Sequence, residues 1–149
     1  PKVHVQIVLS VEGARRGCTW GSLLCALSMR NTLFAMAHAY PQIRWFAQCD
    51  DIRPALNPPD DGNWDKHWTM LAKAIRELGQ RLQPLDYLRH PEKNKLYVPI
   101  GVPLPPPGIF DQGGHECKIS TRGCETSGIQ HGTVEFRSEC ALAKVNEYR

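Results

Sequence analysis

The spacing of apolar residues along the chain predicts three helices. Apolar side chains recur at helical spacing after Trp20, and Pro41 closes that segment. A second helix is predicted from about Trp64 to Arg81, and a third from about Val134 to Tyr148. The apolar positions that define the first helix are Leu23, Leu24, Leu27, Phe34 and Ala37, and those that define the second are Trp68, Leu71, Ala72, Ile75 and Leu78.

Shorter apolar runs predict strands between and around these helices. Residues 4–9 alternate between apolar and polar side chains, as in a half-buried strand, and residues 43–49 form an apolar run of strand length. Further strands are predicted at residues 93–99 and 117–120 and around Ile129. The mixture of helices and short strands favours a mixed fold.

Two segments rich in helix and strand breakers separate these elements. Residues 57–63 form a loop in which Asp60, Asp61 or Asn63 can cap the following helix. Residues 101–108 contain four prolines among eight residues, which is too stiff and too poor in donors for a central strand. We expect this second segment to be a surface connection with polyproline character.

Composition limits the class of protein but does not identify it. With 149 residues and 42% hydrophobic content, the chain can form one domain with a modest core. The formal net charge of +3 permits a polyanionic partner but is far from that of a dedicated nucleic-acid binder. No run of about 18 apolar residues is present, so we expect no transmembrane segment.

The six cysteines contain no C-x-x-C pair, and we interpret them as reduced, intracellular thiols. His115, Cys117, Cys124 and His131 can be drawn as a zinc set, but their spacing matches no common template. The alternative is that all four are ordinary loop residues.

The pair Asp50-Asp51 follows the apolar run at residues 43–49. Two adjacent carboxylates repel each other, so a fold that presents them at a strand end often supplies a cation. The pair is therefore a magnesium-site hypothesis. The alternative is a solvated turn after a strand.

Four motifs in a fixed order resemble a reverse transcriptase of the kind encoded by non-LTR retrotransposons. Residues 13–22 match the glycines and serine of G-x-x-Q-G-x-x-x-G-S, and residues 48–51 match both aspartates of the aromatic-x-Asp-Asp signature. Residues 91–99 follow the pattern P-x-K-S-K-L-Y-x-P, and residues 128–136 are similar to G-x-x-x-G-x-x-E-F. The resemblance covers nearly the whole chain.

The resemblance implies an α+β fold and a polymerase palm-like architecture. A small antiparallel sheet would be backed by two helices, with the Asp pair on a hairpin near the first helix and the lysines. Residues 1–100 would form the palm-like core, and residues 101–149 a proline-rich connection with a small strand and helix extension. In this family two Mg²⁺ ions support RNA-directed DNA synthesis by nucleotidyl transfer, because hard Mg²⁺ prefers oxygen ligands.

The resemblance also assigns roles to individual residues. Asp50 would ligate metal and Asp51 would support it, while Lys93 or Lys95 would stabilise charge near the phosphates. Backbone at Gly17, Gly21 and Ser22 would approach the template and the incoming nucleotide. The remaining positions of the implied nucleotide and template site are Gly13, Arg16 and Gln48.

Several positions depart from the family pattern. Arg16 replaces the motif glutamine, Thr19 the usual proline, and Gln48 the aromatic residue. The family's other metal aspartate lies upstream of the glycine motif, whereas no residue before Glu12 is acidic. We therefore expect these 149 residues to supply half of a two-metal site and not to polymerise alone.

Two function classes follow from the resemblance. The chain is a fragment of a working polymerase that acts on an RNA template and a DNA primer, or it is a retired copy. A retired copy would serve as a structural or RNA-contacting subunit of a larger complex with protein and possibly RNA. An accidental likeness in a generic α/β domain predicts instead that Asp50-Asp51 lies on an ordinary exposed turn far from Gly17.

Overall fold

The computed structural model describes residues 20–48, 51–85, 94–126 and 129–147. Over these ranges the chain has an α+β fold, as predicted. The helices are α1 (Gly21–Ala39), α2 (Trp64–Leu82) and α3 (Val134–Glu147), with a short 3-10 turn at Gln83–Leu85 after α2. The strands are β1 (Ile43–Gln48), β2 (Asp51–Leu56), β3 (Lys95–Tyr97), β4 (Lys118–Ser120), β5 (Gly123–Thr126) and β6 (Ile129–Gly132).

The six strands form three separate two-stranded sheets. β1 pairs with β2 and β5 pairs with β6, both antiparallel, whereas β3 pairs with β4 in parallel. β2 and β5 were not predicted from the apolar pattern, and the predicted strand at residues 4–9 lies outside the described residues. The described sheets are therefore small ribbons, which depend on the helices for a hydrophobic partner.

The core lies where α1 and α2 cover the β1–β2 hairpin. α1 contacts α2 and β1, and α2 contacts β2. The side chains that are almost fully buried come mainly from the two helices, with additions from β1 and the later loops. They are Met29, Met36, Tyr40, Ile43, Trp68, Leu71, Ala72, Ala74, Leu78, Leu82, Val98 and Phe110.

α2 matches its sequence prediction closely. Of the three residues proposed as caps, Asn63 occupies the N-cap, and its side chain accepts a hydrogen bond from the Lys66 backbone N–H at 3.1 Å. The predicted apolar stripe faces the core, with Ile75 half-buried and the other four members buried.

α1 has the predicted bounds but packs through a different face. The side chains of Leu23, Leu24, Leu27 and Phe34, which define its apolar spacing, are all exposed. Met29 and Met36 on the opposite side of the helix fill the core instead. The apolar pattern located this helix but did not identify the face that packs against the core, because both faces are apolar.

The proline-rich segment at residues 101–108 has no helix or strand, as expected of a connection, and is mostly exposed. It is held to α2 through Trp68, whose indole N–H donates to the Pro103 carbonyl at 3.1 Å. Phe110, just beyond the segment, packs edge-on against the same indole with ring centroids 6.2 Å apart.

β5, β6 and α3 form a compact unit at the C-terminal end of the described chain. Gly123 and Gly132 are directly paired in the ladder, and Gly132 has a φ of 146°. A Cβ atom at Gly123 would overlap the Phe136 ring, and one at Gly132 would overlap the Arg122 carbonyl. Both positions therefore require glycine for close approach of the backbone.

Among the described residues, no helix is both long enough and apolar enough to cross a membrane. This finding agrees with the sequence, in which no apolar run of sufficient length occurs.

Candidate functional site

The β1–β2 hairpin is the centre of the candidate site. Its register runs from Ile43 opposite Leu56 to Gln48 opposite Asp51. In the sequence only Cys49 and Asp50 separate the paired residues Gln48 and Asp51, and Asp51 is the first residue of β2. The resemblance places the acidic pair on a hairpin; β1 and β2 are paired antiparallel here, while Asp50 lies outside the described residues.

The two faces of the hairpin differ in chemistry because side chains alternate along each strand. Trp45, Ile52 and Leu56 lie on the inner face and pack against the core. Arg44 and Phe46 lie on the opposite face of the hairpin, where Phe46 is 55% exposed and is paired with Arg53. The exposed side chains of Phe46 and Arg44 suit contact with bases and phosphates.

The C-terminal end of α1 fixes the start of the hairpin. The Ile43 backbone N–H donates to the Tyr40 carbonyl at 3.0 Å, which closes a tight turn between α1 and β1. The Tyr40 hydroxyl donates to Glu77 of α2 at 2.7 Å, and Arg81 donates to the same carboxylate at 2.9 Å. This network ties α1, α2 and β1 together.

The Tyr40 network changes the acidity of its members. The hydrogen bond to Glu77 raises the pKa of Tyr40 above its usual value, and burial adds to the effect. The same bond lowers the pKa of Glu77, and the hydrogen bond from Arg81 lowers it further. Both shifts stabilise a neutral tyrosine and an ionised glutamate at neutral pH.

Two lysines lie side by side on the parallel ribbon. Lys95 of β3 is directly paired with Lys118 of β4, and both side chains are exposed. Paired residues of neighbouring strands project from the same face, so the two ammonium groups share one side of the ribbon. Like charges in this position are unfavourable unless an anion lies close by.

The charges of Arg53 in the hairpin and of Lys95 in β3 both act on Cys124 of β5. Burial raises the pKa of the Cys124 thiol, while the positive charges of Lys95 and Arg53 partly oppose this rise. β3, which carries Lys95, contacts β5, which carries Cys124. The hydrogen bonds that Glu125 of β5 accepts from Lys144 and Gln130 lower the pKa of its carboxyl group, and the positive charge of Lys95 lowers it further.

Lys95 is the one predicted site residue whose side chain is described, and it begins β3, which contacts β5. Gly21 is the first residue of α1, and the backbones of Ser22, Gln48 and Asp51 lie in described elements, although their side chains are not described. The other predicted site residues lie outside the described residues: Gly13, Arg16, Gly17, Asp50 and Lys93.

Arg53 and Lys118 are the two site residues that the sequence analysis missed. Arg53 lies in β2, a strand that the apolar pattern did not predict, and it follows Asp51 by two positions. Lys118 becomes a neighbour of Lys95 only through parallel pairing. A lysine at the start of each of two short strands is a weak signal by itself.

Metal-binding groups were sought among the described residues. No cluster of three or more His, Cys, Asp or Glu side chains occurs there. All four members of the zinc alternative fall in this part of the chain, and among the described residues Cys25, Cys117, Cys124 and Cys140 form no disulfide. The zinc set is therefore not assembled, and the magnesium hypothesis rests on Asp50-Asp51.

No known family, curated protein or solved structure matches this chain.

Proposed function

We propose that the chain is the palm-like part of a reverse transcriptase-type nucleotidyltransferase, and that the β1–β2 hairpin carries half of a two-metal site. One observation carries the proposal. β1 and β2 form an antiparallel ribbon in which Gln48 is paired with Asp51, and the 19-residue helices before and after this ribbon contact its strands.

The donors suit the chemistry that this proposal requires. Carboxylate oxygens are the ligands that Mg²⁺ prefers, and an RNA template with a DNA primer would supply phosphate oxygens. When bound, the metal would stabilise the negative charge that develops during nucleotidyl transfer. The chain's own cations, Arg53, Lys95 and Lys118, would hold phosphates beside the hairpin.

The second candidate function is that of an RNA-contacting structural subunit derived from such a polymerase. The cations Arg53, Lys95 and Lys118 support it without any role for the aspartates. Arg53 lies in β2 of the hairpin, and Lys95 and Lys118 are paired between β3 and β4; these cations would bind a nucleic-acid backbone without any metal. Under this alternative, binding is independent of Mg²⁺ and of the aspartates.

Duplex binding separates the two functions. We expect the chain to bind an RNA template–DNA primer duplex more tightly with Mg²⁺, and Asp50→Asn with Asp51→Asn to remove that increase. The matched control is Asp60→Asn with Asp61→Asn, a second acidic pair on an exposed loop of the same chain. Equal effects of Mg²⁺ in the wild type and both double variants would contradict the metal-site proposal.

The lysines are tested by the salt dependence of the same binding. Each lost phosphate contact reduces the slope of log K against log salt by about one. We expect Lys95→Ala and Lys118→Ala each to produce this decrease. Lys66→Ala, at an exposed position of α2, should leave the slope unchanged. If all three variants behave alike, the lysines form no local site.

Primer extension on an RNA template tests activity itself. We expect no synthesis by these 149 residues with Mg²⁺. Synthesis by the wild type that is lost in Asp50→Ala and kept in Asp60→Ala would show that the chain holds a complete site. Duplex binding without Mg²⁺ dependence and without synthesis would favour the structural subunit.

A further inference from the structure

α1 carries apolar side chains on two opposite sides, and the exposed polar residues Asn31 and His38 lie on the same side as Trp20. At 100° per residue, Trp20, Leu27 and Phe34 lie within about 40° of one another, whereas Met29 and Met36 lie on the far side. The methionines are buried, while Trp20 is 65%, Leu27 56% and Phe34 63% exposed. Leu23 and Leu24 widen the exposed face at its N-terminal end. We call these five exposed residues the outer face of α1.

The outer face is large for a surface that water alone covers. Its five side chains present roughly 500 Å² of apolar area, near the upper end for the largest patch on a monomer. A helix that is apolar on opposite sides is typical of a position between two packed layers. In the described structure only the inner side of α1 is covered, by the hairpin and α2.

The spacing of the apolar residues on the outer face would allow two copies of α1 to pair with each other. Trp20, Leu27 and Phe34 are separated by seven residues, the repeat that forms a seam between paired helices. Leu27 is the midpoint of the series. If two copies of α1 pack antiparallel about a two-fold axis at Leu27, each Leu27 meets its own copy, and each Trp20 meets the other copy's Phe34.

Charge does not oppose such a pairing. Residues 20–39 contain no acidic residue, and Arg30 is the only lysine or arginine among them. Its guanidinium lies 5.2 Å from the Phe34 ring centroid, beside the seam rather than at its centre. The two Arg30 side chains of a pair would be offset by about 9 Å along the helix axes.

We propose that two copies of this chain associate through the outer face of α1 as an antiparallel, two-fold symmetric pair. Joining two outer faces would bury roughly 1,000 Å², the lower limit for a specific interface, so a weak and reversible dimer is expected. The proposal is independent of the proposed function, because it rests only on α1.

Sedimentation velocity of the full chain across the micromolar range tests the association. The wild type should shift from monomer to dimer as its concentration rises. Leu27→Glu and Phe34→Glu should each raise the dimer dissociation constant more than tenfold, because they place charge in the seam. Leu142→Glu on α3 is the matched control, since Leu142 is 64% exposed, and it should leave the constant unchanged.

Cysteine trapping tests the direction of pairing. Under mild oxidation Leu27→Cys should form a disulfide dimer, because the two-fold axis brings its copies together, whereas Trp20→Cys and Leu142→Cys should not. A Trp20→Cys dimer would contradict the antiparallel arrangement. A wild type that stays monomeric throughout, or a dimer weakened only by Leu142→Glu, would overturn the proposal. The monomeric result would assign the outer face to a different segment or partner.

Discussion

α1 and α2 are helices of equal length, each 19 residues, yet they bury their apolar side chains in different ways. α2 has one apolar stripe, which faces the core, and a charged face toward solvent. α1 is apolar on both sides, and the core covers only the side of Met29 and Met36. Helical spacing therefore locates a helix, but the burial of a particular face depends on what packs against it.

The two helices also differ in how they are held in the fold. α2 is held by its N-cap at Asn63 and by contacts of Trp68 with the later loops. α1 is connected to β1 through the turn at Tyr40 and leaves the outer face exposed. The comparison indicates that α2 completes the fold while α1 also offers a surface for another molecule.

Of the substitutions considered, Trp68→Ala in α2 should lower the free energy of unfolding most, and its comparison with Trp20→Ala contrasts the two helices. Trp68 is 4% exposed, whereas Trp20 at the start of α1 is 65% exposed. We expect Trp68→Ala to cost about 3–5 kcal/mol in the free energy of unfolding, and Trp20→Ala less than about 0.5 kcal/mol. Urea denaturation at low protein concentration, where the proposed dimer is dissociated, measures both. Equal losses would mean that the two tryptophans are buried alike.

Within α1, truncating a buried side chain should destabilise the fold more than truncating an exposed side chain on the opposite side of the helix. Met36 is fully buried and Leu27 is 56% exposed. Met36→Ala should destabilise the monomer by about 2–4 kcal/mol because it leaves a cavity, while Leu27→Ala changes it by less than about 0.5 kcal/mol. At high protein concentration the Leu27→Ala loss should grow, since a bound copy stabilises the folded state. A concentration-independent loss at Leu27 would contradict the proposed pairing.

The Tyr40–Glu77 link between the helices should give the smallest effect, with a defined pH dependence. The lowered pKa of Glu77 means that its contribution is present above about pH 4.3, its unfolded pKa, and is lost as the pH falls through the folded value. The raised pKa of Tyr40 means that its contribution is present below about pH 10 and is lost as the pH rises through the folded value.

Tyr40→Phe should therefore reduce the free energy of unfolding by less than either core truncation. The loss should be level across neutral pH and shrink at both extremes. Glu77→Gln is the control that should remove the acid dependence. Urea denaturation over a pH series checks this, and a loss from Tyr40→Phe that does not change in acid would show that the hydroxyl acts without Glu77.

The sequence predicted those parts of the fold whose pattern was strong and local. All three helices and the strand at Ile43–Gln48 lie close to their predicted positions. The apolar pattern did not predict β2 because Asp51, Arg53 and Pro54 interrupt it, although the resemblance implied a hairpin at this place. Pro54 is tolerated because a two-stranded ribbon leaves one edge of each strand without ladder bonds. β5 was missed because its four residues gain strand structure only by pairing with β6.

The site was predictable in part, for a similar reason. The acidic pair and Lys95 stand in motifs that can be read along the chain, whereas Arg53 and Lys118 join them only through strand pairing. No local pattern encodes the contact between β3 and β5. Long-range pairing of short strands is the part of this fold that single-sequence reasoning did not recover.

Metal binding at the hairpin tests the central functional claim most directly. In an NMR titration with Mn²⁺ as a paramagnetic substitute for Mg²⁺, the amide signals of Gln48 and Asp51 should broaden before those of Asp60 and Asp61. Asp50→Asn with Asp51→Asn should abolish that selective broadening, and Asp60→Asn with Asp61→Asn should leave it intact. Equal broadening at both acidic pairs, or selective broadening that survives the loss of Asp50 and Asp51, would contradict a metal site on the hairpin.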